Sequence, residues 1–149
     1  MKKISILLGT LVVAVLLISA NKQESSQYDS TLEGVWEQVH QTLYDNGQVT
    51  DTLYNMNGYR QVKIYSKGKV MWTRFDPSDT NEWFGYGSYT VKDGILEEHI
   101  EYASGEMMKI VDTTKVFRFK LEMSKNRYSQ IASDANGNLY ISENYIRLE

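Results

Sequence analysis

The densest set of potential ligands in this 149-residue chain is Glu97-Glu98-His99-Ile100-Glu101. Side chains alternate along an extended strand, so Glu97, His99 and Glu101 would share one face. Two carboxylates and an imidazole arranged that way could hold a divalent metal. The competing reading is a solvated outer face, opposite Leu96, Ile100 and Tyr102, and period-two polarity favours it. No metal site is therefore assigned. With no cysteine there is no thiol nucleophile, and no Gly-x-Ser-x-Gly elbow exposes a serine. A glycine loop of the phosphate-binding type is absent as well. His40 and His99 are the two imidazoles, His40 reading as a surface or edge residue late in a long first strand. Without a convergent acid–base pair, neither a catalytic residue nor a cofactor is expected.

Aromatic residues point to binding instead. The chain carries 11 Tyr, 4 Phe and 3 Trp, more than a small core requires. Small-ligand cavities combine apolar walls with few placed polar groups, which Trp72, Tyr86, Tyr89, Tyr102, Phe117 and Phe119 could build. Trp83-Phe84-Gly85-Tyr86-Gly87 follows a long connection, 76–83, and could rim an open end. Aromatics exposed at such a rim would stack a sugar, grip a lipid or meet a protein. The plainer alternatives are a filled core and a loop packed onto the barrel end, since strands favour aromatics in any case.

The elements that must position these residues read as strands. In 116–123, Phe117, Phe119, Leu121 and Met123 alternate with Arg118, Lys120 and Glu122, the pattern of a half-buried antiparallel strand. Similar alternation predicts strands over 32–44, 60–65, 69–75, 86–91, 95–102, 127–132 and 139–147. Val62 and Ile64 are expected to point inward in the second of these. Asn46-Gly47, Lys67-Gly68, Asp93-Gly94 and Asn136-Gly137 supply the positive φ of tight hairpins. The segment 105–115, around Met107-Met108, reads as a second long connection. The fold expected is all-β: an antiparallel up-and-down β-barrel of about eight strands, wide enough for one small ligand. Gly34-Val35-Trp36 on the first strand and Arg147 on the last suggest its closure. There the guanidinium would lie over the indole in a cation–π contact of roughly 0.5–2 kcal/mol.

Ahead of the barrel, Lys2-Lys3 and an apolar run over 4–20 match a signal peptide, with Ile18 and Ala20 at the −3 and −1 positions. The rival is a retained membrane anchor, for which a run of 17 residues lies at the short limit of roughly 17–25. The expected organisation is therefore 1–20 signal peptide, 21–31 flexible leader and 32–149 barrel domain. Export to the periplasm or beyond follows. A lipid-modified N-terminus is excluded by the absence of cysteine. Removing Lys2 and Lys3 from 16 basic residues leaves 14 against 19 acids, a net charge of −5. That balance disfavours nucleic acid and anionic lipid as partners.

Several motifs carry a family resemblance. Leu32-Glu33-Gly34-Val35-Trp36 is similar to the opening Gly-x-Trp strand of the calycin group. Asp134-x-x-Gly137-Asn138, leading into Glu143-Asn144-Tyr145-Ile146-Arg147-Leu148-Glu149, resembles the closing hairpin and strand of small exported bacterial lipocalin-like domains. The strand over 60–65, followed by Val70-Met71-Trp72, is similar to that subgroup's second and third strands. The resemblance spans nearly all of 32–149. It implies a β-barrel with an internal cavity and transfers no catalytic residue. The function expected is non-catalytic binding of a small hydrophobic molecule in that cavity. The alternative is a carbohydrate- or protein-interaction module using the Trp83-Phe84-Gly85-Tyr86 rim.

Overall fold

The computed structural model describes residues 31–149; the expected signal segment, 1–20, and leader residues 21–30 lie outside the described residues. Nine strands and one short helix follow in order. They are β1 (Gly34–Asp45), β2 (Gln48–Tyr54), β3 (Arg60–Ser66), β4 (Lys69–Phe75), β5 (Trp83–Lys92), β6 (Ile95–Ala103), α1 (Gly105–Val111), β7 (Phe117–Ser124), β8 (Arg127–Ser133) and β9 (Leu139–Arg147). Strands β3 to β9 pair in sequence, and β1 bridges β9 to β3, every ladder antiparallel. The sheet thus closes through eight strands. The ninth, β2, pairs with the far half of β1 (His40 to Asp45), where β3 has diverged from it. Its pattern is polar and mostly exposed, so apolar alternation did not announce it.

Turn chemistry sets the hairpin registers. At Asn46-Gly47, Lys67-Gly68 and Asp93-Gly94 both central residues have positive φ, the type I′ geometry that matches strand twist.

Closure occurs where the Gly-x-Trp motif meets the last strand. Trp36 lies opposite Arg147, whose Cζ is 4.0 Å from the indole centroid. The guanidinium also donates to three carbonyls: Glu33 at 2.5 Å, Thr31 at 2.6 Å and Lys125 at 3.0 Å. Trp36 is fully buried and donates from Nε1 to the Leu32 carbonyl at 2.8 Å. Gly34 makes this approach possible. At its φ of 134° a Cβ would sit 2.4 Å from the Glu149 carbonyl oxygen and 2.5 Å from Arg147 Nη1. Beneath the indole an aromatic plug fills the closed end. Tyr128 meets Trp36 edge-on and stacks on Tyr145, while Tyr65 meets Tyr89 edge-on. Leu32, Val70 and Leu96 complete it.

Three sequence expectations are corrected. In β3 the inward residues are Gln61, Lys63 and Tyr65, while Ile64 is exposed, the reverse of the apolar pattern. Register decides this: Lys63 lies opposite Trp36 and Tyr65 opposite Gly34, so they share the buried face. Tyr102 points outward rather than alongside Ile100, because Glu101 is an extra residue between the pairs Gly87–Ile100 and Tyr86–Tyr102. Finally, 105–115 is not a plain connection. Its first seven residues form α1, whose Met107 and Val111, one turn apart, bury against Ile100 and Ala103.

Candidate ligand-binding site

Two residues further along β3, β6, β8 and β9 from the aromatic plug, the inward positions become polar. Lys63 Nζ donates to Glu98 Oε1 and Oε2 at 2.9 and 3.1 Å and to Gln130 Oε1 at 2.9 Å. Lys63 and Glu98 are each only 3% exposed. The Tyr65 hydroxyl donates to Glu98 Oε1 at 2.5 Å. Beside this pair, Glu143 Oε2 accepts from Gln61, Gln130 and the Tyr145 hydroxyl at 3.3, 2.8 and 2.6 Å. The buried Glu98 is thereby satisfied by a cation and the half-buried Glu143 by neutral donors. Burial pushes the Tyr65 and Tyr145 phenols well above their usual range, with the adjacent Glu98 and Glu143 charges adding to it.

This layer floors a chamber of about 210 Å³ in the open half of the ring. One wall is apolar: Trp72 of β4, Ile100 of β6, and Phe117 and Phe119 of β7. Met107 and Ile110 of α1 close it from above. Trp72 fits because Gly85 lies opposite; a Cβ there would be 2.7 Å from Trp72 Nε1.

A second chamber, about 560 Å³, opens at the mouth among Gln38 and Gln41 of β1, Tyr59, and the loops around residues 55 and 77. Arg74 lines both spaces. Its guanidinium lies 4.2 Å from the Trp83 ring, and Trp83 Nε1 donates to Asp79 Oδ2 at 2.7 Å. The Asn81 backbone N–H, with that indole N–H, holds the Asp79 carboxyl below its ordinary pKa and so fixes the 76–82 connection.

The aromatic residues expected to line a cavity or its rim are divided among three places. Trp72, Trp83, Phe117 and Phe119 line the inner chamber. Tyr89 belongs to the closed-end plug. Phe84, Tyr86 and Tyr102 stand on the outer face, Phe84 and Tyr102 with ring centroids 5.8 Å apart, so they do not rim the opening. Gly34, Trp36 and Arg147 sit at the closure, as their types suggested. Glu97 pairs with Arg118 at 2.9 Å and Glu101 with Lys69 at 2.8 Å, while His99 is exposed. His40 is half-buried beside the Tyr54 ring. The polar residues of the interior, Lys63, Glu98, Gln130 and Glu143, were missed by sequence reasoning. Glu98 had a signal: it stands between Leu96 and Ile100 on the face assigned to the core. Arg74 and Gln38 had none, since both depend on register and on the β1 bulge between Gln38 and His40.

No family model matches this chain, and no curated protein matches it in sequence. Among solved structures it is similar to a lipocalin-like protein from Bacteroides uniformis, with a TM-score of 0.54 and 14% identity, covering 80% of this chain and 100% of that one. It is also similar to an uncharacterised protein from Bacteroides eggerthii, with a TM-score of 0.48 and 15% identity, covering 77% and 98%. The first likeness shows the fold, an all-β antiparallel ring of lipocalin-like form.

Proposed function

From that lipocalin-like ring as premise, we propose that the protein is an exported, non-catalytic binder of a small hydrophobic molecule held in the open half of the barrel. The observation that carries this reading is the inner chamber, with one wall of Trp72, Ile100, Phe117 and Phe119 and a helix across its top. Its 210 Å³ is below the roughly 300–1,000 Å³ of drug-sized sites, so the guest is compact or extends past Arg74 into the mouth. Uptake of the neutral fluorophore N-phenyl-1-naphthylamine tests it, together with native mass spectrometry of gently purified protein. Binding should be saturable and lost in Ile100→Phe, which fills the chamber. Unchanged uptake by a folded Ile100→Phe protein would refute the site.

One observation favours a second reading, a protein-interaction module. Ile64, Met71, Tyr86 and Tyr102 are successive cross-strand partners on β3 to β6, and all four are exposed. Such a row is an apolar band on the outer wall. Under this reading Tyr86→Lys abolishes partner capture and leaves fluorophore uptake intact.

A further inference from the structure

The mouth chamber carries unmet hydrogen-bonding groups of its own. Gln38 is 1% exposed, yet neither its Nε2 nor its Oε1 has a partner, and Arg74 Nε has none either. Leaving a buried amide unpaired is costly, because both of its ends forgo the hydrogen bonds they make in water. Gln61 and Gln130, on the same inward face, are tied by hydrogen bonds to Tyr145, Glu143 and Lys63. Among the buried glutamines of the described residues, Gln38 is the one whose amide is unpaired. It lies where β1 bulges away from regular pairing with β9 and borders, with its amide covered, a space of about 560 Å³, within the range of small-molecule sites.

The unmet groups select a chemistry. They are two donors, Gln38 Nε2 and Arg74 Nε, and one acceptor, Gln38 Oε1. A carboxylate or phosphate only accepts, so it would leave Gln38 Oε1 bare. It would also add negative charge where Asp76, Asp79 and Glu143 already offset Arg74. An ammonium only donates, leaving both donors unmet beside a guanidinium. A hydroxyl does both. Tyr59, Pro77 and Met56 add apolar faces to the same chamber, against which the C–H face of a ring can lie.

We propose that the mouth chamber is a binding site for a neutral saccharide: the Gln38 and Arg74 side chains turn out into the chamber, one hydroxyl is held by both ends of the Gln38 amide and a second oxygen accepts from Arg74 Nε. The site shares only Arg74 with the inner chamber, and an inner guest that reached past Arg74 would compete with the saccharide.

The test is NMR on uniformly ¹⁵N-labelled protein, with methyl hexopyranosides and neutral disaccharides as probes at millimolar concentration. A hexuronic acid, a hexosamine and a blocked dipeptide amide serve as comparisons. Neutral saccharides should shift the Gln38 side-chain amide and give saturation transfer, while the charged sugars bind more weakly. Gln38→Leu should melt no lower than the parent, since it removes unpaired polar atoms, and should weaken saccharide binding about tenfold or more. Arg74→Lys, which keeps the charge and loses Nε, should weaken it too. Ile100→Phe should leave this response in place, which separates failure here from failure of the inner-chamber reading. The proposal is overturned if Gln38→Leu melts lower, if no saccharide moves the Gln38 amide, or if the uronic acid or the dipeptide amide binds best.

Discussion

Lys63 makes three hydrogen bonds to Glu98 and Gln130 while almost wholly buried, so removing its charge strands a carboxylate inside the ring. Breaking such a pair typically costs about 3–5 kcal/mol, whereas replacing both members by apolar groups is often neutral. Lys63→Met should therefore lower unfolding stability by about that much in urea melts. The double variant Lys63→Met/Glu98→Leu should recover most of the loss. Additive destabilisation would show that the pair is not the unit. At this scale Trp36, Gly34 and Arg147 were legible from residue type, because a glycine and an indole on the first predicted strand and a guanidinium on the last have few other reasons to coincide. The inward lysine was not. A Lys–Glu pair becomes an interior feature only when two distant strands face each other, and neither strand shows that alone.

At the level of elements, the hairpins were readable where Asn, Lys or Asp precedes Gly, since few residues accept the paired positive φ of a type I′ turn. The faces of the strands were harder. One extra residue reverses every side chain beyond it, and the bulge at Glu101 sends Tyr102 outward. Helix α1 escaped notice because seven residues are too few to establish a period. Strands β4 and β5 position the chamber wall through the Trp72–Gly85 pair. Gly85→Ala puts a methyl 2.7 Å from Trp72 Nε1, so the indole must tilt. We expect a shifted tryptophan emission maximum, reduced fluorophore uptake and a stability loss of about 1–3 kcal/mol. An emission spectrum and uptake identical to the parent's would contradict the packing described.

Across the whole molecule, Tyr65 and Tyr145 tie the closed end to the polar layer through their hydroxyls on Glu98 and Glu143, with the Tyr128 ring stacked on Tyr145. All three phenols are held well above their ordinary value, chiefly by burial. A raised native pKa means that the protonated form is the one the fold stabilises. In the unfolded chain these phenols lose their protons at about pH 10. Their contribution is therefore complete below that pH and is lost as pH rises toward the native values. Alkaline titration should show tyrosinate absorbance from these three only together with loss of near-ultraviolet dichroism. Full ionisation of all 11 tyrosines with native dichroism intact would contradict their burial.

What the sequence determined by itself was the class of object. Alternating strands, Gly-ended turns and a Gly-x-Trp matched to a terminal Arg specify an antiparallel sheet whose ends meet, because each of those signals is local. The tertiary structure alone decided what the ring encloses. Which residues face inward depends on register and bulges, and those are settled by cross-strand partners far apart in the chain. That is why a cavity expected to have apolar walls and a few polar groups has one aromatic wall, a charged floor and, at its mouth, a buried amide without a hydrogen-bond partner.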